Sequence, residues 1–424
     1  MPSLQPVYLA GLGHCSARGL SAAAAASAML AGQTAHDWRQ IAGERSPYFR
    51  MPLQGRWLQR AEAAVRACVA DLRAAVPVAQ WRNLPVFFAS SSFQVGLYET
   101  PDWSQPPQPA AQTTPADAAI DSRAAGAVSV TAVTEKPIPT LPPGAASFAV
   151  QCMQWLGVQG LPQCVSHACT SSMLALEAAA NWLAHGWSQH ALVIATECDN
   201  RLTANGFHSL GLLSPDACRP LAANRNGFVL GEAVAAVLLS TDPGLGQGLN
   251  GKDGGSESGN KGRSEIQPWR LAAWASATDM YSLTGPDPSG QPIAAVLQAA
   301  LQQAGLRAAD IDLLKLHAAG VGSTDAAEAR ALQQVFGTQV PPLLSLKPYL
   351  GHTLGASTLA EITALLACLQ QGQIPATPGC EQPDAELGLL PVRVRQALQP
   401  RHVLAVSLGF GGSVAACILS RGGA

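Results

Sequence analysis

The chain has 424 residues, of which 48% are apolar and only 13% charged, with a formal net charge of −2; this balance argues against nucleic acid or an anionic membrane as partner. Ten cysteines without paired C-x-x-C spacing argue against zinc sites and a disulfide scaffold. No run of about 18 strongly apolar residues is present and the N-terminus lacks a basic segment followed by an apolar one, so a cytoplasmic protein without a membrane span is expected.

Taken in order, Pro6 to Leu12 reads as a buried strand, Ala22 to Leu30 and Leu58 to Ala75 as helices, and Leu84 to Ala89 as a second strand. Pro101 to Pro143, rich in Pro, Ala, Thr and Gln, reads as a long loop. A helix near Ala145 to Leu156 follows. Ala191 to Thr196 is an apolar strand, Cys198 to Asn226 is irregular, and Gly227 to Ser240 holds another buried strand. Residues 242–266 are Gly, Ser, Lys, Asn and Glu with almost nothing to bury, so a mobile insertion is expected there.

Beyond it the pattern begins again. Strands are expected at Arg270 to Ala275, Leu313 to His317, Leu343 to Leu346, Val403 to Ser407 and Val414 to Leu419. Helices are expected at Ile293 to Ala304, Asp325 to Phe336 and Ala356 to Gln371. Apolar strands without polar alternation suit sheets covered on both faces. The repeated order suggests two similar α/β halves, residues 1–241 and 267–424. Few charges and much alanine suit burial of surface by self-association.

Four stretches carry candidate chemistry. In Val165-Ser-His-Ala-Cys-Thr-Ser-Ser-Met-Leu-Ala-Leu-Glu177 a short strand meets small residues around Cys169, and an apolar helix follows, roughly Thr170 to Ala184. A thiol at a helix start meets free backbone N–H groups and the positive end of the dipole, which favour thiolate. By itself the stretch also fits a buried structural cysteine. In Lys315-Leu-His-Ala-Ala-Gly-Val-Gly-Ser-Thr-Asp-Ala-Ala-Glu328, His317 ends an apolar strand, where ligands of α/β proteins bind. Asp325 and Glu328 fit a carboxylate N-cap with Glu three residues on. In Ser345-Leu-Lys-Pro-Tyr-Leu-Gly-His-Thr-Leu-Gly-Ala-Ser357, Lys347 follows a strand and His352 stands at the mouth of a helix. The dipole there disfavours its cation, so a neutral ring donating through Nε2 is expected. Ser407-Leu-Gly-Phe-Gly-Gly412 has glycines on both sides of Phe410, permitting close approach to a ligand or a sharp turn.

Together these stretches resemble the β-ketoacyl-ACP synthases, the condensing enzymes of fatty acid and polyketide assembly. Ala168-Cys-Thr-Ser-Ser172 is similar to the nucleophile motif. His317 heads the segment that usually reads His-Gly-Thr-x-Thr, with Asp325 and Glu328 in step. Lys347, Gly351-His352 and Glu361 match the second-histidine motif, and Cys218 to Glu232 resembles the Arg-Asp-Gly-Phe-Val-x-Gly-Glu stretch.

The resemblance implies a thiolase-like α-β-α-β-α fold of five layers, usually dimeric, and an elongating synthase of the Cys-His-His type. It implies Cys169 as acyl carrier, and His317 and His352 as neutral donors to an enolate. It implies an oxyanion hole from the backbone N–H groups of Cys169 and Phe410, a gating role for Phe410, and a buried Lys347–Glu328 ion pair orienting His317. The partners implied are an acyl carrier protein and a second copy or a related ketosynthase. No metal or free cofactor is expected, since phosphopantetheine arrives on the carrier. Leu202 to Phe207, Leu221 to Gly227 and Gly285 to Gly290 resemble the aryl-polyene subgroup.

The chain departs from the pattern as well. Ala319 and Val321 stand where threonines usually hold the pantetheine amides. Losing two neutral hydrogen bonds at roughly 1 kcal/mol each would weaken that grip about ten- to thirty-fold. Asn226 replaces an Asp, Ala233-Val-Ala235 a Gly-rich stretch, Leu408 a Phe and Val414 an Asn. These changes keep open a non-catalytic partner of another synthase, like the chain-length factors.

Overall fold

In the strand Ala233–Ser240, Ala233, Ala235, Val237 and Leu239 face one side of the sheet and Val234, Ala236 and Leu238 the other. All seven are buried, so this sheet is covered on both faces. The computed structural model describes residues 4–74, 77–99, 144–245 and 268–421. The expected loop at Pro101 to Pro143 and most of the expected insertion at 242–266 lie outside those residues.

Ten strands form one sheet. From edge to edge they run Leu343–Leu344, Leu313–Lys315, His402–Gly409, Ser413–Arg421, Trp269–Thr278, Val7–Ser16, Ala233–Ser240, His190–Glu197, Val86–Ala89 and Gln163–Val165. The join at the centre is short, with Val7 opposite Leu271 and Tyr8 opposite Arg270. Each five-strand half repeats one pattern outward from that join: two antiparallel pairings, then two parallel ones. The suggestion of two similar halves therefore holds at the level of topology.

Helices complete five layers. Trp57–Ala74 and Ala145–Leu156 cover the outer face of the first half, where Leu192, Ile194 and Leu238 are buried. Gln291–Ala304 and Gly322–Phe336 cover the outer face of the second, over Leu404, Val406 and Ile418. Between the halves lie Ala22–Leu30, Ser171–Ala184 and Ser357–Gln370, whose apolar residues form one core with strand residues of both halves. Ser357–Gln370 has every residue from Ser357 to Leu369 buried. A helix packed on all sides is apolar on most of its positions, and the polar ones here, Glu361 above all, must find partners inside the protein. This is the thiolase-like α/β architecture expected.

Two features were not expected. Asp37–Ile41 and Glu44–Phe49 pair as a hairpin, which Leu230–Gly231 joins in parallel. Arg201–Ser209 is a helix, capped by the Asn200 side chain, inside the stretch read as irregular. It is only nine residues long, and Gly206 lowers its propensity.

Gly231 fixes how this excursion meets the second half. A Cβ there would lie 2.2 Å from the Leu350 carbonyl oxygen. Gly231→Ala should cost about 1–3 kcal/mol by overpacking, read as a lower thermal midpoint. At Gly206 nothing lies within 4 Å of the position a methyl group would take, so Gly206→Ala should hold or gain up to about 1 kcal/mol in the same assay.

Candidate active site

Turns from different parts of the sheet meet over one cavity. The first leaves the edge strand Gln163–Val165 and enters Ser171–Ala184. Its backbone is strained, since Ala168 has φ +47°, a conformation costing roughly 1–2 kcal/mol for a residue with a Cβ. Side-chain bonds hold it there. Ser171 Oγ donates to the Ala168 carbonyl (2.7 Å) and accepts from the His167 N–H (2.8 Å), and Thr170 Oγ1 donates to the His167 carbonyl (2.8 Å). Cys169 is thereby set at the helix start, buried, with its sulfur 3.2 Å from His352 Nε2.

His352 follows the strand Leu343–Leu344 and precedes Ser357–Gln370. In the repeated topology this place corresponds to that of Cys169, so thiol and imidazole stand at matching corners of the two halves. Gly351 has φ +74°, and a Cβ there would lie 2.8 Å from the Leu230 carbonyl oxygen. This close approach lets the His352 N–H reach the Val229 carbonyl at 2.7 Å. The His317 ring stands perpendicular to that of His352, centroids 5.4 Å apart.

A further turn, Phe410-Gly411-Gly412, joins His402–Gly409 to Ser413–Arg421. A Cβ on Gly409 would lie 3.3 Å from the Cys169 backbone nitrogen, and one on Gly412 only 1.7 Å from the Asp279 carbonyl oxygen. Bare backbone is thus required at Gly412, and at Gly409 a side chain would be a tight fit. The N–H groups of Phe410 and Cys169 are directed at the Cys169 sulfur and favour its anion. They form a pair of donors at the atom where a tetrahedral oxyanion would develop nearby.

Burial dominates the electrostatics. It pushes the Cys169 thiol up to about 12, against the pull of Lys347 and of the two N–H donors. The expectation of a thiolate favoured by the helix start is therefore corrected. The site is too deeply desolvated for the helix end to prevail. Burial, then Lys347, lowers His352 to about 3, and burial, Lys347 and His352 hold His317 well below 6.5. Both rings are neutral as expected, with burial as the leading cause and not the dipole.

The expected Lys347–Glu328 ion pair is absent. Glu328 gives one oxygen to the His317 N–H (2.7 Å) and the other to the Ala318 N–H (2.8 Å). Lys347 turns instead to Glu361, 2.8 Å away. Lys315, overlooked in the sequence, meets the other Glu361 oxygen at 2.5 Å. Burial raises the Glu361 carboxyl, but the two lysines outweigh it and hold it at about 2. Asp325 is no N-cap either. Its helix starts at Gly322 with Val321 as cap, and its carboxylate accepts from the N–H groups of Leu221 (2.9 Å), Ala319 (3.1 Å) and Gly320 (3.2 Å). The two carboxylates fasten the His317–Gly320 loop, because that turn leaves its amides unpaired within the buried site.

The cavity over Cys169, about 70 Å³, is lined by Cys169, His317, His352 and Phe410, and also by Ala319, Val321, Leu408 and Val414. Four of the departures thus face the site. Asn226 binds Ser214 Oγ (2.8 Å), and Ala233-Val-Ala235 lies within the sheet. Ser323 and Thr324 bring hydroxyl-bearing residues to the same wall as Ala319 and Val321. Lys315 had a signal, a lone charge in the apolar run Leu313 to Leu316; Ser357, beside His352, had none.

Residues 113–243 match the family described as Beta-ketoacyl synthase, N-terminal domain, and residues 270–381 match its C-terminal domain. The chain belongs to the β-ketoacyl synthase family. It is 28% identical over 275 residues to the tetracenomycin polyketide synthase ketoacyl synthase alpha subunit of Streptomyces glaucescens, covering 62% of this chain and 61% of that protein. It is 28% identical over 265 residues to 3-oxoacyl-[acyl-carrier-protein] synthase 2 of Coxiella burnetii, covering 60% of each. The matched region thus spans under two thirds of these relatives.

Among solved structures, the fold is shared with the ketosynthase ApeO in complex with its chain length factor ApeC from Xenorhabdus doucetiae. The TM-score is 0.76 at 20% identity, over 99% of this chain and 98% of that one. A type II acyl carrier protein in complex with its hexaketide-bound ketosynthase (AntDE:AntF) gives a TM-score of 0.75 at 18% identity, over 99% and 100%. Among the described residues no helix is long and apolar enough to cross a membrane, and no group of three or more His, Cys, Asp or Glu could hold a metal.

Because both ring pKa values are depressed, the unfolded chain takes up protons near 6.5 that the folded site refuses. The rings' contribution to stability is present above pH 6.5 and is lost as pH falls toward the depressed values. The ¹⁵N resonances of His317 and His352 should therefore stay constant from pH 8 to pH 5; a midpoint near 6.5 would contradict their burial as neutral groups. Glu361→Gln, which leaves Lys315 and Lys347 without their anion, should cost about 3–5 kcal/mol, measured by thermal or denaturant unfolding.

Proposed function

We propose that the chain is a condensing β-ketoacyl synthase that carries its acyl chain on Cys169 and extends it with malonyl-ACP. The observation that carries this reading is the approach of Cys169 Sγ to His352 Nε2, 3.2 Å, with the His317 ring alongside.

In the loading step the Cys169 sulfur attacks an acyl thioester on the carrier. The N–H groups of Cys169 and Phe410 receive the oxyanion, the carrier sulfur leaves, and the thiol proton goes with it. Malonyl-ACP then loses CO₂. The enolate oxygen lies beside His317, whose Nδ1 accepts from the Leu408 N–H at 3.3 Å, so its proton is on Nε2, the donor side. The enolate carbon attacks the Cys169 thioester, a C–C bond forms, the C–S bond breaks, and the thiolate takes up a proton from water, replacing the one that left with the carrier thiol. Lys347 and Glu361 are structural supports of this site, together with Lys315; Asp325 and Glu328 shape the His317 loop.

Phosphopantetheine is the carrier's own arm in this reading. Its hydroxyl partners in this reading are Ser323, Thr324 and Thr284, which line the cavity. Phe410, packed on Phe207 with centroids 5.6 Å apart, is proposed as the gate. The assembly proposed is a dimer with a second copy or with a related ketosynthase; the ApeO–ApeC pairing and the carrier-bound AntDE complex support both partner types. Placement in the aryl-polyene group rests only on the three short stretches named above.

A non-catalytic chain-length-factor role makes the opposite prediction. Intact-mass measurement after incubation with acyl-ACP should show one acyl group on the wild type and none on Cys169→Ala. Malonyl-dependent product should fall by about 10³-fold or more in Cys169→Ala. An unmodified wild-type Cys169, with product unaffected by Cys169→Ala, would sink the enzyme reading.

A further inference from the structure

Glu361 determines where a neighbouring proton must point. Its carboxylate is ionised between Lys315 and Lys347, so it can only accept. Ser357 Oγ lies 2.8 Å from Glu361 Oε1 and 3.3 Å from His352 Nδ1. A serine hydroxyl has one proton. Given to Glu361, it leaves only a lone pair for His352, and Nδ1 must then carry the imidazole proton. His352 is neutral, so its Nε2, 3.2 Å from the Cys169 sulfur, is bare. His317 is the reverse case, since the Leu408 N–H occupies its Nδ1 and its proton is on Nε2.

We infer that Ser357 is a positioning residue that fixes His352 in the tautomer opposite to that of His317, leaving His352 Nε2 as the acceptor for the Cys169 thiol proton. The two rings then have separate tasks. His317 is the donor to a developing oxyanion. His352 takes the proton from sulfur as the sulfur attacks, becoming briefly doubly protonated, and returns it from Nε2 to the departing thiolate. The proton cannot pass further down the chain, because Ser357 could accept it only by handing its own to Glu361, which two lysines keep ionised. This corrects the expectation that both rings donate through Nε2. The division between loading and decarboxylation rests on the condensing reading above; the tautomers themselves do not.

The test has a part that needs no substrate. In ¹⁵N-histidine protein, long-range ¹H–¹⁵N correlation distinguishes protonated from bare ring nitrogens. The expected spectrum has His352 bare at Nε2 and His317 bare at Nδ1, assigned with His317→Ala and His352→Ala. Ser357→Ala should mix or invert the His352 tautomer and slow alkylation of Cys169 by iodoacetamide about ten-fold, as loss of a group orienting a histidine does. Ser357→Thr, which keeps the hydroxyl, should restore both readouts.

A wild-type spectrum with His352 protonated at Nε2 overturns the inference, and so does a Ser357→Ala protein with unchanged spectrum and alkylation rate. Should Ser357→Ala fail to fold, the wild-type spectrum decides alone. With carrier substrates, His352→Ala should depress acyl loading more than malonyl decarboxylation, and His317→Ala the reverse. Equal effects would overturn the division of tasks, whereas absence of all loading in the wild type would overturn the condensing reading and leave the tautomers standing.

Discussion

The site depends on one buried anion. Glu361 sits on a helix with no exposed face, enclosed between two halves of a sheet, and it is 1% exposed like both lysines that bind it. A carboxylate cannot remain ionised there without partners. Lys315 comes from a strand of the second half, Lys347 from the turn after the neighbouring strand, and both reach Glu361 across the layer boundary. This contact ties the middle helix to the sheet at the depth of the two histidines. It also places positive charge near the rings, which adds to burial in keeping them uncharged.

The duplicated topology explains why these groups meet. Each half directs the turn after its outermost strand toward the start of a middle-layer helix. In the first half that turn presents Cys169, in the second His352, and the shared core between the halves brings the two to 3.2 Å. Of the connections in which the halves differ, one bears on the site. In the second half, His402–Gly409 returns to Ser413–Arg421 through a tight turn that offers Phe410. In the first, His190–Glu197 returns to Ala233–Ser240 through an excursion of residues 198–232, which builds the wall carrying Phe207 and Phe228. One half thus contributes the sulfur, the Cys169 N–H and the wall with Phe207 and Phe228, and the other the two rings and the Phe410 N–H.

Electrostatic reasoning from a single element failed at Cys169 for an identifiable reason. A helix start favours a thiolate where solvent or charge can support it. Here desolvation exceeds that help and leaves a thiol whose attack requires a nearby acceptor. Lys347 illustrates the same limit. Its partner was assigned to Glu328 by resemblance, yet both Glu328 oxygens are taken by backbone amides of the His317 turn, and Glu361 is the carboxylate with room for a cation. Pairing among buried charges follows from which lone pairs the backbone has already claimed, and that is a three-dimensional count.

The sequence by itself determined the strand and helix series, because continuous apolar runs and the predominantly apolar helices at 171–184 and 357–370 can be stable only in buried layers. It also determined Cys169, His317, His352 and the Phe410 turn as candidates, since each lies at a strand-to-helix or Gly-rich boundary that pattern alone reveals. The hairpin at 37–49 and the helix at 201–209 were not legible, being short and exposed in part. Only the tertiary structure decided the Lys315–Glu361–Lys347 cluster, the capping of the His317 loop by Asp325 and Glu328, and the hydrogen-bond chain from Ser357 to His352. Those bonds join residues whose spacing carries no periodic signal, and their direction depends on which neighbour is ionised once water has been excluded.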